Sequence, residues 1–128
     1  MPMALYHASL QIFESAGYMK KLRTKSITLT SYLIYVINEV NRALGFKQFS
    51  VITPQDENER GAQVSIIAAE HAREIFDGLV TELVLGDWRS PNVIRLSPVP
   101  LYNSFMDVYQ AGVLLLAITE RIFNNKVV

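Results

Sequence analysis

The amino-acid sequence predicts an α+β domain, two N-terminal helices followed by β-β-α-β-β-α, with a mainly antiparallel sheet covered by helices. Three observations carry this prediction. Apolar residues recur at helical spacing over 3–16 and 20–44; short apolar stretches between 49 and 96 are bounded by Pro, Gly and Asn; and dense punctuation from 87 to 108 ends in a helix cap. Taken in order, the chain reads as a helical lead-in over residues 1–45 and an α+β small domain over 46–128, one compact unit overall.

Met3 to Ala16 places Leu5, Ala8, Ile12 and Phe13 near helical spacing, Tyr6 and Leu10 widen the apolar arc, and Gly17 is a natural stop. Lys20 to Leu44 is the longest periodic segment, with Leu22, Ser26, Leu29, Leu33, Val36, Val40 and Leu44 at steps of three and four, closed by Gly45. Its β-branched residues favour strand weakly, and periodicity over this length outweighs them. Phe49 to Thr53, ended by Pro54, and Ala62 to Ile67 read as two strands that pair antiparallel. The polar stretch 55–61 between them is a loop whose Gly61 is expected at positive φ. From composition, solvation alone is the favoured account of that loop over any functional role.

Glu70 to about Glu82 reads as a helix with Ala72, Ile75, Phe76, Leu79 and Leu83 inward, weakened at Gly78. Leu83 to Arg89 leads into a third strand. Ser90-Pro91-Asn92 is turn chemistry, and Val93 to Leu96 is a fourth strand. Alternation puts Ile94 and Leu96 on one face and Val93 and Arg95 on the other, so Arg95 projects a guanidinium among apolar neighbours. Pro98 and Pro100 end the strand and stiffen the crossing that follows. Asn103-Ser104 caps a last helix, Phe105 to about Asn124, and Asp107 completes a capping box. Val108 to Ile118 is apolar almost all round apart from Gln110; a thick local core and a lent interface explain this equally well.

Half of the 128 residues are hydrophobic and 19% are charged, the balance of a globular chain. Twelve basic and twelve acidic residues cancel, which favours neither nucleic acid nor an anionic membrane. With no cysteine, disulfides, thiolate catalysis and cysteine zinc sites are excluded. His7 and His71 lack metal-ligand spacing and read as ordinary helix residues. The apolar run 111–118 is far short of the ~20 residues that span a bilayer, and the N-terminus lacks a signal-peptide core. A soluble, cytoplasmic protein is the expectation. No Walker loop, GxGxxG, HExxH or GxSxG is present, so composition and spacing name no reaction.

Specific runs go further. Asp87-Trp88-Arg89, Pro91-Asn92-Val93-Ile94-Arg95, Pro98-Val99-Pro100-Leu101-Tyr102-Asn103-Ser104-Phe105 and Asp107-Val108-Tyr109 closely resemble the C-terminal region of kynureninases, pyridoxal-phosphate enzymes of the aminotransferase fold type. Ile52-Thr53-Pro54, Asp56, Arg60-Gly61 and Gln63 are similar to that family's hairpin, and Met3-Ala4 through Tyr32-Leu33 to the helices leading into its small domain. Ser97, where alanine is common, and Val84-Leu85-Gly86 are conservative departures.

The resemblance implies the small domain, or a fragment, of a hydrolase that cleaves a carbon-carbon bond of kynurenine or 3-hydroxykynurenine to give an anthranilate and alanine. It implies that Arg95 holds the α-carboxylate of this small amino-acid substrate, a task suited to a planar guanidinium. An ion pair with Asp87 is the structural alternative for Arg95. Arg60 and Gly61 are implied to shape the approach to the site. The family's cofactor lysine and phosphate-binding residues belong to a large domain outside the matched stretch, and no lysine here sits in that motif. The expectation is therefore no cofactor in this chain alone, pyridoxal phosphate in the complete enzyme, and the large domain or a second subunit as partner in a homo-oligomer. A stand-alone binding or assembly module that kept the fold and lost catalysis is the alternative.

Overall fold

The computed structural model describes residues 2–125; the outermost positions of the two predicted regions, residue 1 and residues 126–128, lie outside it. The observed order is α1 (Pro2–Ser15), α2 (Tyr18–Leu44), β1 (Phe49–Val51), β2 (Val64–Ala68), α3 (Ala72–Thr81), β3 (Asp87–Arg89), β4 (Val93–Leu96) and α4 (Phe105–Asn124). The predicted α+β class and element order are thus observed. All pairings are antiparallel, in the order β1-β2-β4-β3.

One face of this sheet builds the core. Val64, Ile66, Ala68, Ile94 and Leu96 point inward and meet Leu29, Leu33, Ile37 and Val40 of α2, Ile75 and Leu79 of α3, and Leu115 and Ile118 of α4. These side chains are almost fully removed from water, at ~25 cal/mol per Å² of apolar surface. The opposite face carries Ser50, Ser65, Ile67, Val93, Arg95, Asp87 and Arg89, all at least partly exposed.

The strand ends differ from expectation for identifiable reasons. β1 stops at Val51 rather than Thr53, because the Thr53 hydroxyl accepts from the Ser65 backbone N–H at 2.8 Å and replaces a ladder bond. Asn41 of α2 performs a similar substitution at the other end of β1. Its Oδ1 accepts from the Gln48 and Phe49 N–H groups at 3.0 and 2.8 Å, and its Nδ2 donates to the Phe49 carbonyl at 2.8 Å. Helix and strand are thereby joined through one amide.

Leu83, expected inward, is 84% exposed. It sits at φ +62°, just past the end of α3. The Val84 N–H donates to the Leu79 carbonyl at 2.9 Å and the Leu83 N–H to the Val80 carbonyl at 3.0 Å, a Schellman ending with leucine where glycine is usual. That ending turns Leu83 outward and delays β3 to Asp87. Gly61, expected at positive φ, is not; the glycines there are Gly17 and Gly45.

The break between α1 and α2 falls at Gly17 (φ +85°) and Tyr18 (φ +59°), consecutive left-handed residues. Beyond it α1 packs little on its own chain, and Met3, Leu5, Tyr6, Leu10 and Ile12 stand exposed. On α4, Ser104 and Asp107 form the predicted capping box, whereas Asn103 accepts from the Val99 N–H at 2.8 Å and braces the crossing. Among the described residues no helix is long and apolar enough to cross a membrane.

Candidate functional site

Arg95 is placed by three levels of structure. Strand alternation on β4 sends it away from the core, since its neighbours Ile94 and Leu96 are buried. The β2–β4 register sets it opposite Ser65, and the β3–β4 register sets it opposite Asp87. Its surroundings are consequently polar and charged, not the apolar neighbours expected from its position in sequence.

The Asp87 carboxylate gathers two guanidinium groups. Arg95 Nε donates to Asp87 Oδ2 at 2.6 Å, and Arg95 Nη2 is paired with the same oxygen. Arg89 Nε donates to Oδ2 as well, at 2.9 Å. Partial burial pushes the Asp87 carboxyl up, but the Arg95 hydrogen bond and the charges of Arg89 and Arg95 outweigh it and hold the group below the usual carboxylate range. Two cations share one anion here, so the cluster keeps a net positive charge. The side chain of Arg95 is 27% exposed against 61% for Arg89, so Arg95 is the more deeply set of the two.

Arg60 lies elsewhere, and no hydrogen bond or ion pair joins it to Arg95 among the described residues. Its side chain is buried under the 54–60 loop. Nε donates to Thr30 Oγ1 at 3.3 Å, Nη2 to Ser31 Oγ at 2.7 Å, and Nη1 to the Pro54 and Gln55 carbonyls. Arg23 Nη2 adds bonds to the Glu57 carbonyl and, at 3.0 Å, the Arg60 carbonyl. Two arginines of a loop and a helix therefore strap that loop to α2. Gly61 follows the strap, and nothing stands within 4 Å of where its Cβ would be.

A cavity of about 420 Å³ opens on the helix side of the sheet, away from Arg95, between the α3–β3 connection, the crossing after β4 and α4. Leu33, Leu96 and Leu114 form its apolar wall, and its charged lining residues, Glu82 and Asp107, are acidic. His7 and His71 are far from both places; His7 meets Gln11 at 3.2 Å and His71 meets Glu74 at 3.1 Å. Among the described residues no group of three or more His, Cys, Asp or Glu could hold a metal ion.

Sequence reasoning singled out Arg95 and named Asp87 as its partner, but missed Arg89 and the buried strap. Arg89 was signalled by its spacing, since residues 87 and 89 of one strand share a face. The strap carried a weaker signal. Arg23 and Arg60 donate to main-chain carbonyls, which have no sequence signature.

Comparison with known proteins identifies the family. Residues 22–115 match the family described as Kynureninase C-terminal domain. The chain is 44% identical over 118 residues to human kynureninase, covering 89% of this chain and 25% of that protein. It is 41% identical over 115 residues to kynureninase of Christiangramia forsetii (90% and 27%) and 44% over 110 residues to that of Koribacter versatilis (86% and 25%). It thus spans about a quarter of the length of these relatives. On the match over residues 22–115, which contains the whole sheet and the Arg95–Asp87–Arg89 cluster, this chain belongs to the kynureninase C-terminal domain family.

Proposed function

We propose that this chain is the small domain of a cytoplasmic kynureninase-type hydrolase and that it contributes Arg95 to an active site completed by a large domain. The observation that carries the reading is Arg95 itself, a half-buried guanidinium on the sheet face opposite the helix-packed core, in a cluster with net positive charge. A carboxylate is the ligand such a fork suits, through two parallel N–H···O bonds. Kynurenine and its 3-hydroxy form carry that group beside the bond the family cleaves.

Pyridoxal phosphate would supply the electron sink for the chemistry, and the residues of this chain do not fit it. Among the described residues, the charged groups lining the 420 Å³ cavity are the carboxylates of Glu82 and Asp107, with no cation to meet a phosphate. Lys25, partly buried, spends its ammonium on the Pro100 carbonyl at 2.8 Å. On this reading the cofactor site lies in the large domain, and this chain's own part is to bind and orient the substrate carboxylate. Arg60 shapes the approach indirectly, by holding the 54–60 loop on α2 next to Gly61. The exposed apolar arc of α1 supports a partner, the large domain or a second subunit, because a helix of 14 residues without tertiary packing is marginal in water.

Two measurements test the reading. The polypeptide captured from its own cells through an antibody to α4 is expected to have several times the 14.5 kDa mass of this chain. A species of that mass alone would favour a stand-alone binding module instead. In the complete polypeptide, Arg95→Lys is expected to lower kcat/KM for kynurenine at least ~10-fold, scaling from the worth of a charged hydrogen bond. An unchanged value removes the carboxylate role.

A further inference from the structure

The geometry of the β3–β4 pair assigns a role to a second residue. We propose that Asp87 is a positioning residue for Arg95, holding its guanidinium side-on so that the end-on Nη1/Nη2 fork is presented to a carboxylate. This rests on the reading of Arg95 as a carboxylate clamp and adds how the clamp is kept in place.

Asp87 engages Arg95 along one edge only, Nε at 2.6 Å and Nη2, both on Oδ2. Among the described residues no group bonds Arg95 Nη1. A guanidinium has two edges that can grip a carboxylate bidentately, one side-on and one end-on. With the side-on edge occupied, the end-on edge remains, together with the second N–H of Nη2. The ion pair and the clamp are therefore compatible, although the sequence presents them as alternatives.

The charge count strengthens this. A lone Arg–Asp pair would be neutral and would give an anion little reason to approach. Arg89, also on Oδ2 at 2.9 Å, restores a net positive charge. The scaffold beneath is stiff: Asp87 and Arg95 are direct cross-strand partners, and Arg95 is flanked on its other side by Ser65 of β2. Arginine side chains carry large rotamer entropy, and a fork fixed before the ligand arrives has less to lose on binding.

The proposal and a purely electrostatic account of Asp87 predict opposite signs. Asp87→Asn removes a negative charge, so electrostatics alone tightens anion binding; loss of positioning weakens it. The experiment is a titration of the folded chain with acetate, read from the side-chain nitrogen resonances of Arg95. In the unaltered protein, acetate is expected to shift the Nη resonances while the Nε resonance stays in place. Asp87→Asn is expected to broaden the Nε resonance and weaken the acetate response about tenfold, with the amide resonances of the core strand β2 unmoved. Asp87→Asn binding acetate as well or better, or acetate shifting Nε in the unaltered protein, would overturn the proposal. That second readout needs no variant, so a poorly folded Asp87→Asn does not spare it. The clamp reading fails separately, if Arg95→Lys leaves kcat/KM for kynurenine unchanged in the complete polypeptide.

Discussion

Gly112 of α4 lies so close to Val36 of α2 that a Cβ built on it would stand 2.1 Å from Val36 Cγ1. The two helices can approach this closely only because position 112 carries no side chain, and Val36 fills the notch. Gly112→Ala gains helix propensity but overfills this contact, and overpacking costs typically 1–3 kcal/mol. A lower urea midpoint with unchanged slope is expected. The paired change Gly112→Ala with Val36→Ala is expected to recover part of the loss.

Leu83 gives the opposite expectation. It occupies a left-handed position at which a Cβ is unfavourable by about 1–2 kcal/mol, and its side chain is solvent-exposed. Leu83→Gly removes that strain and forfeits little packing, so it is expected to raise stability by about 1 kcal/mol in denaturant unfolding.

Arg60 is buried among neutral acceptors, with Thr30, Ser31 and two loop carbonyls all depending on it. Arg60→Met leaves those acceptors without their donor and is expected to cost roughly 2–4 kcal/mol. Limited proteolysis is expected to begin within 54–60. Arg60→Lys should not rescue it, because one ammonium cannot span the positions that Nε, Nη1 and Nη2 reach.

The capping box of α4 makes a contribution that depends on pH. Backbone and side-chain hydrogen bonds from Ser104 hold the Asp107 carboxyl below the usual carboxylate range, and partial burial opposes them without prevailing. A carboxyl lowered in the folded state stabilises the fold fully above its unfolded value, about 3.9, and loses that contribution as pH falls through the lower folded value. Ser104→Ala is expected to lower the thermal midpoint by a few degrees at neutral pH, and by less once both states are protonated. Thermal scans across the acid range check the convergence.

Association of the isolated chain is expected through α1. Met3, Leu5, Tyr6, Leu10 and Ile12 offer an apolar arc to water, and α4 adds exposed Phe105, Met106, Tyr109 and Val113. Light scattering at tens of micromolar should show species larger than a monomer. Leu5→Glu with Ile12→Glu should return the monomer, whereas a monomer before any substitution would leave the apolar arc without this role.

The helices were legible because their cause is local and repeated: Leu22, Leu29, Leu33 and Val40 recur at the spacing that the core later demands. The cap at Ser104 was legible for the same reason, since its partner Asp107 is three residues away. Strand ends were less so. Whether β1 continues past Val51 is decided by a Thr53 hydroxyl bonding to Ser65, twelve positions away. Leu83 was misplaced because a helix ending normally announced by glycine is here made by leucine. Of the site, alternation separated Arg95 from Ile94 and Leu96, and Asp87 was weighed as its ion-pair partner, but the apolar surroundings expected of Arg95 are polar and charged. Arg89, two residues from Asp87 on the same strand, carried a local signal that went unused, whereas the shared Oδ2 and the edge left open are properties of cross-strand register, which no local pattern encodes.

The sheet begins and ends in strands of three residues, β1 and β3. So few main-chain donors and acceptors make a poor template for a foreign strand, and growth of copies into fibrils by edge pairing is disfavoured. Assembly of this chain is thereby steered toward its helices and the charged face of its sheet, away from strand-to-strand growth.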